Sequence, residues 1–556
     1  MTTFNLASVG FTWLPILPLV AIAIGAMIVL LAGVRIKDED SAGIGFLVLA
    51  TLLAALIAVL LSFGENHFSF GGALVTDDYA VLFEMIILIA AALTVAMSLQ
   101  YAADAQLAGA EYYGLILFAV LGMMLMATAG DLIIVFLGLE TMSIAIYPLV
   151  GLLRREARSS EAAMKYFLLG AFSTGFLLYG IALIYGATGT IRLEPIRAAL
   201  TVNHATSFYL LPGIGLMLIG FGFKVAAVPF HMWTPDAYEG APTPVTAFMA
   251  VGVKLAAFAA FIRIFMVYLA PVSAQWTVIL WIIAALTMTF GNVVALVQTN
   301  IKRMLAYSAI AHAGYVIVGM AAAPAHAAGG ALLYYLLAYA LTSLGAFAIV
   351  IALEQGGGRV GEPRPRYSRA APTLIADYRG LAREHPGLAA AMTLFMLSLA
   401  GVPPLAGFVG KFYIFSAALD AGLVWLVIIA VLNSVISAYY YIGVIVAMYM
   451  QGAGESASRG LITSAGESAS RGLIRSAAES GFGLSLADST THQSRGQNEV
   501  KLKPLSARPG LLISVALAAA AVVIVGLFPQ PYMTSATNAF AAALGRPPLP
   551  TVAEAK

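Results

Sequence analysis

A chain of 556 residues with 61% hydrophobic and only 10% charged side chains is far from a soluble domain, where roughly a quarter of residues are charged, and a water-soluble fold is excluded. Lysine and arginine number 29 against 27 aspartates and glutamates, so there is no basic excess to neutralise a run of phosphates, and nucleic-acid binding is excluded too. Cysteine is absent, which removes thiolate-held iron–sulfur clusters, thiolate zinc sites, disulfides and cysteine nucleophiles together.

A bilayer core about 30 Å thick takes roughly 20 apolar residues per helix. Fourteen segments of that kind begin near 11, 43, 79, 113, 131, 162, 208, 244, 274, 303, 327, 388, 421 and 510. The first lacks a basic start, is too long in its apolar part and has no small-residue cleavage pattern, so it reads as a permanent span rather than a secretory signal. In the fifth, LIIVFLGLETMSIAIYPL, Glu140 lies about nine residues in, close to mid-membrane. The sixth opens with Glu161 and Lys165, spaced for an i,i+4 pair at the inner surface, an auxiliary position at most. Lys224 falls about ten residues from the inner end of the seventh segment, and Lys254 about ten from the inner start of the eighth. Arg263 is about 13.5 Å further along that helix and is expected to snorkel to the outer interface. His312 is central in the tenth segment, and Lys411 lies in the inner part of the twelfth.

Two of these segments carry proline beside an intramembrane lysine. Pro229 follows Lys224 by five residues, and Pro403 and Pro404 precede Lys411 in LSLAGVPPLAGFVGKFYIF. Proline removes a backbone donor and frees carbonyls that must find water or side chains, so both helices are expected to be broken there. Between the last two segments, 451–509 contains AGESASRGLI twice and is rich in Ser, Gly, Ala and Arg. It reads as a flexible loop without chemistry.

Lysine and arginine collect in cytoplasmic loops. With the N-terminus outside, Arg35, Lys37, Arg154, Arg155, Arg158, Lys302 and Arg303 all fall inside, as do the six arginines of 354–387 and the seven basic residues of 451–509. Both termini are then expected outside, the periplasmic side of a bacterial inner membrane. An ionisable group at the centre of a span costs on the order of 2.5–3.5 kcal/mol on insertion scales, so each needs a partner, water or a purpose. Glu140, Lys224, Lys254, His312 and Lys411 share one approximate depth, and a row of such groups is a plausible proton wire.

The stretches HMWTPDAYEGAPTPVTAFMAVGVKLAAFAAFIRIF, NIKRMLAYSAIAHAGYVIVGM and GVPPLAGFVGKFYIF resemble the antiporter-like membrane subunits of the proton-pumping NADH:quinone oxidoreductase, respiratory complex I. The lysine at 411 and the form of the PDAYEGAPTPV loop put the resemblance nearest the subunit N type. It implies an all-α integral membrane fold of about fourteen helices with two inverted five-helix repeats, segments 4–8 and 9–13, and broken helices 7 and 12. The corresponding division is an N-terminal three-helix part at 1–110, repeats at 111–270 and 271–450, the loop at 451–509, and a last helix with its tail at 510–556. Position by position, Glu140, Lys224, Lys254 and Lys411 match the family's helix-five, -seven, -eight and -twelve residues. The resemblance also implies that this chain binds no cofactor or metal. NADH, flavin, iron–sulfur clusters and quinone belong to partner subunits, and the other neighbours are membrane-arm subunits, a second antiporter-like subunit among them. The competing function is a multisubunit cation/proton antiporter, which would exchange ions in vesicles lacking every redox partner. A scaffold whose charges merely pack is the third reading.

Overall fold

An apolar segment in lipid has no water for its peptide groups, so it must close its hydrogen bonds internally, as a helix does. The computed structural model describes residues 13, 15–35, 41–105, 107, 109–203, 207–322, 326–356, 373–450 and 508–546. Lys37, the arginine-bearing stretch 357–372, the duplicated loop through residue 507 and the tail from 547 lie outside the described residues.

In chain order the first elements are α1 (Leu17–Gly33), α2 (Ser41–Leu61), a short antiparallel hairpin of β1 (His67–Ser69) and β2 (Leu74–Thr76), α3 (Asp78–Asp104), α4 (Gly109–Thr128) and α5 (Leu132–Val150). Then come α6 (Ala157–Thr188), α7 (Leu193–Asn203), α8 (Leu210–Val225), α9 (Trp233–Gly240), α10 (Thr243–Phe248) and α11 (Lys254–Ile262). The remainder are α12 (Ser273–Ala295), α13 (Ile301–Ala321), α14 (His326–Gly356), α15 (Leu381–Glu384), α16 (Pro386–Ala400), α17 (Ala406–Asp420), α18 (Val424–Met450), α19 (Pro509–Leu527) and α20 (Pro529–Ala543). A helix underlies each of the fourteen predicted segments. Among the described residues 11 helices are long and apolar enough to cross a membrane, and the shorter apolar α1, α8 and α16 fall on the first, seventh and twelfth segments.

Caps set where several helices begin. Asp77 Oδ1 accepts from Ala80 N at 2.8 Å and opens α3, and Asp131 Oδ1 accepts from Ile133 N at 2.7 Å and opens α5. Asn300 does the same for α13 through Lys302 N and Arg303 N. Helices α4 and α5 come together on glycines: a Cβ on Gly122 would lie 2.3 Å from Met142 N and 2.5 Å from Gly138 O, so only glycine permits that approach.

Two elements form the centre of the bundle. One is the continuous helical run from Thr243 to Tyr268, wholly enclosed by its neighbours, in which α10 and α11 alternate with π-helical stretches at Met249–Val253 and Arg263–Tyr268. The other is α14, which packs on α3, α10, α16, α17, α19 and α20. Lys254 lies on the first, and Tyr335 and Tyr339 lie on the second.

Candidate functional site

Both predicted helix breaks are present. Helix α8 ends where Ala226 takes a left-handed conformation (φ 62°), and the chain passes Pro229 before resuming as α9. Helix α16 ends at Gly401 (φ 89°), and Pro403 and Pro404 precede α17. A helix that stops inside a bilayer leaves its last carbonyls without intrahelical donors. The two breaks supply those donors differently. At the first, backbone N–H groups past the end close the turn, Ala226 N donating to Phe223 O at 3.1 Å and Ala227 N to Gly222 O at 2.7 Å, and Phe223 O also accepts the indole N–H of Trp233 at 3.0 Å. At the second, Lys411 Nζ donates to Leu399 O and Ala400 O, both at 3.0 Å, and to Ser434 Oγ at 3.1 Å. Three acceptors match the three N–H groups of an ammonium, and the negative end of the α16 dipole adds to the attraction.

Lys224 is entirely buried. Its Nζ donates to Ser143 Oγ at 2.7 Å and is ringed by aromatic faces, with centroids at 5.5 Å for Tyr147, 5.4 Å for Tyr166 and 5.5 Å for Phe223. Such faces attract a cation. Ser143 is one turn of α5 beyond Glu140, so Lys224 reaches the helix that bears the carboxyl without an ion pair to it. Glu140 is still close enough to act on the lysine's charge, and its Oε1 is buried without a hydrogen-bond partner.

Lys254, 3% exposed, donates to Ala309 O on α13 and lies 5.9 Å from the Tyr339 ring centroid. His312 is one turn further along α13. Its Nδ1 meets Tyr335 Oη at 2.5 Å and its Nε2 meets Tyr441 Oη at 3.1 Å, and Tyr441 in turn bonds Ser308 Oγ. The imidazole sits within electrostatic reach of both Lys254 and Lys411, and the Tyr315 ring stacks 5.0 Å from Lys411 Nζ. The structure thus brings the five central residues into two groups, Glu140 with Lys224 and Lys254 with His312 and Lys411.

Tyrosines fill the space between and around these groups, and no reading of the sequence singled them out. Tyr166 of the Lys224 cage stacks on Trp233 at 4.3 Å, Trp233 meets Tyr238 edge-on at 6.4 Å, and Tyr238 lies within electrostatic reach of both Tyr166 and Tyr339. The hydroxyls of Tyr147, Tyr166 and Tyr238 are buried without partners. Beyond Lys411, Tyr440 Oη donates to Asn292 Oδ1 at 2.9 Å, and Asn292 Nδ2 reaches Asn433 Oδ1 at 3.3 Å. The signal was there as tyrosine recurring in apolar helices, but aromatic residues at helical spacing ordinarily mark plain packing.

Glu161 and Lys165 form the expected i,i+4 pair at 2.7 Å, and Lys165 also reaches Asp236 of α9 at 2.8 Å. Arg303 holds Asp236 and Glu239 at 2.8 Å each, so α6, α9 and α13 are tied together by charge at this end of the molecule. Burial disfavours the Asp236 carboxylate, but the hydrogen bonds from Lys165 and Arg303 outweigh it and hold the carboxyl below its usual range. Lys302, expected to be a loop charge, is buried and donates to Ala241 O at 2.7 Å.

Arg263 departs from the expectation. Instead of snorkelling, it is 1% exposed and bidentate to Asp77, with NH1 to Oδ2 at 2.8 Å and NH2 to Oδ1 at 2.7 Å. A carboxylate in fork geometry satisfies a guanidinium better than a long reach to water, and Asp77, the cap of α3, stands beside it.

Buried lysines in a helix bundle interrupted twice, with one of them beside each break, define an antiporter-like membrane subunit. A family profile described as NADH:quinone oxidoreductase/Mrp antiporter, TM, matches residues 129–437. NADH-quinone oxidoreductase subunit N of Trichlorobacter lovleyi is 50% identical over 441 residues, covering 79% of this chain and 88% of the relative. A chain in the structure of respiratory complex I from Thermus thermophilus with bound aureothin superposes with a TM-score of 0.70 at 32% identity, over 93% of this chain and 99% of that one. A chain of the Mrp complex from Dietzia shares the fold, with a TM-score of 0.73 at 21% identity over 96% and 97% of the two chains. The chain therefore belongs to the NADH:quinone oxidoreductase/Mrp antiporter family, in its subunit N branch.

Proposed function

We propose that this chain is a proton-translocating membrane-arm subunit of a bacterial NADH:quinone oxidoreductase, and that Glu140, Lys224, Lys254, His312 and Lys411 carry the protons. The observation that supports it is the set of three lysines, none more than 3% exposed, whose ammonium groups meet hydroxyls, carbonyls and aromatic faces. A lysine tied to one carboxylate in a closed pair is held charged. One resting against a hydroxyl can give a proton up and take it back, because a hydroxyl both donates and accepts.

The partners divide the labour. Ser143 Oγ beside Lys224, the Tyr335 and Tyr441 hydroxyls on His312 and Ser434 Oγ beside Lys411 are groups through which a proton can pass. The carbonyls of Ala309, Leu399 and Ala400 only accept, so they hold a charged lysine in place without relaying from it. Moving one charge across the membrane potential is worth about 2.3 kcal/mol per 100 mV. That work comes from neighbouring subunits, which on this reading also hold the flavin, iron–sulfur clusters and quinone site and include a second antiporter-like subunit. Both termini face the periplasm on the charge distribution.

The test is made on the whole complex in proteoliposomes. Lys224→Ala, Glu140→Ala and Lys411→Ala should assemble, yet show lowered NADH:quinone turnover and lowered proton release. Wild-type turnover and stoichiometry in all three would defeat the assignment. Sodium exchange by vesicles holding this chain without redox subunits would favour the antiporter reading instead.

A further inference from the structure

The five central residues fall into two groups, and among the described residues no hydrogen bond runs directly from one group to the other. Lys224 gives its bond to Ser143 Oγ, and Lys254 gives its own to Ala309 O. A carbonyl only accepts, so a proton passing between the two lysines needs another route.

The space between them is lined by hydroxyls. Tyr166 stands at one end, its ring centroid 5.4 Å from Lys224 Nζ, and Tyr339 at the other, its ring centroid 5.9 Å from Lys254 Nζ. Tyr238 of α9 is within electrostatic reach of both tyrosines. Backbone contacts fix the order. Thr246 Oγ1 donates to Tyr238 O at 2.9 Å, and Tyr339 Oη donates to Ala250 O at 3.2 Å. Thr246, Ala250 and Lys254 follow one another about a turn apart along the enclosed central run, so Tyr238, Tyr339 and Lys254 are met in that order. Trp233 shares the space, stacked on Tyr166 at 4.3 Å, but its N–H is given to Phe223 O. The indole is therefore a wall and not a carrier.

A second observation concerns the oxygens around the first break. Glu140 Oε1, Thr234 Oγ1 and the hydroxyls of Tyr147, Tyr166 and Tyr238 are all buried without a partner. Thr234 and Tyr238 are fully enclosed and stand one turn apart on α9, so they share a face. Buried polar atoms are nearly always matched, by protein or by ordered water. A buried water typically makes about three hydrogen bonds to groups otherwise unmet, and these oxygens are the donors and acceptors that a short file of waters needs.

We propose that Tyr238 is a proton-relay residue joining the two groups, its hydroxyl passing protons, with bound water, between Tyr166 at the Lys224 end and Tyr339 at the Lys254 end. It rests on the proton-translocating reading above. The Lys224 ammonium gives up one proton and becomes an amine. Each oxygen along the chain takes one proton and releases another, and the Lys254 amine ends as an ammonium. The Tyr238 hydroxyl is unchanged at the end, and nothing is oxidised or reduced.

Tyr238→Phe removes the hydroxyl and keeps the ring. In the whole complex in proteoliposomes, Y238F should assemble and lose roughly tenfold in proton release, less than a full acid–base group contributes, because water can stand partly in the hydroxyl's place. The loss should come with a larger solvent deuterium isotope effect on coupled turnover, since proton passage then limits the rate. Wild-type release in assembled Y238F overturns the proposal, and a raised thermal midpoint beside it marks dry packing relieved of an unmet hydroxyl. Lowered release with the wild-type isotope effect marks a structural defect and overturns it equally. If Y238F does not assemble, difluorotyrosine at 238, which keeps the hydroxyl but makes its proton more acidic, decides: a changed isotope effect supports the relay and an unchanged one ends it. Lys254→Ala run alongside separates the two readings. If it abolishes release while Y238F does not, the relay alone is wrong; if neither matters, the lysine row is wrong.

Discussion

The two interrupted helices carry the same devices, a left-handed residue, prolines and a buried lysine, but they use the lysine differently. At the α16–α17 break Lys411 is part of the architecture, because its ammonium donates to the Leu399 and Ala400 carbonyls, the second of which also takes a longer bond from Ser434 Oγ. At the α8–α9 break the backbone N–H groups of Ala226 and Ala227 and the Trp233 indole close the helix end, and Lys224 is released to cross to Ser143 on α5. One lysine is thus bound by what holds the fold together, and the other is held by a single hydroxyl and a ring of aromatic faces. The same break can leave a proton carrier anchored or free, depending on which side chain closes the helix end.

Substitutions can break this contrast in order of expected effect. Lys411→Met should hurt twice, lowering coupled turnover and also the thermal midpoint of the purified complex, because unmet carbonyls cost roughly 1–3 kcal/mol. Lys224→Met should lower turnover roughly tenfold or more, as loss of an acid–base group does, while leaving the thermal midpoint near that of the wild type. Equal midpoints in the two variants would erase the distinction between the breaks. Trp233→Phe should show the reverse of Lys224→Met, with stability lowered by about 1 kcal/mol through the lost donor and turnover mostly kept. A midpoint unmoved in that variant would mean that the Ala226 N–H alone satisfies Phe223 O.

The smallest effect is expected at Asp236, outside the buried row. Its carboxyl is held below its ordinary value of 3.8, so its contribution to stability is fully present above that value and is lost as the pH falls through the lowered one. Asp236→Asn should lower the thermal midpoint slightly at neutral pH, as partly exposed pairs are worth little. The gap from wild type should close as the medium is acidified below the ordinary carboxylate range. A gap that persists or widens there would point away from the Lys165 and Arg303 pairs.

Helices were legible in the sequence because runs of apolar residues permit nothing else in lipid, and the breaks were legible because proline next to lysine is a strong local signal. The depth of Glu140, Lys224, Lys254, His312 and Lys411 came from counting residues. Their partners did not. Ser143 stands 81 positions from Lys224, and the side chain that meets the α16 carbonyls is a lysine 11 and 12 positions further on. Arg263 was misplaced for the same reason: its carboxylate is 186 residues away, and helical rise alone shows an outer position without showing what occupies it. The tyrosines around Lys224 and His312 went unseen because their hydroxyls matter only once packing has put them beside a charge.

The π-helical stretch Met249–Val253 sets where Lys254 points. A π-turn carries an extra residue, and in an α-helix one residue is worth about 100° of rotation. A homologous protein lacking that insertion could keep a lysine at the matching alignment column and still aim it into another quarter of the bundle, so sequence identity at this position is no guarantee of shared chemistry.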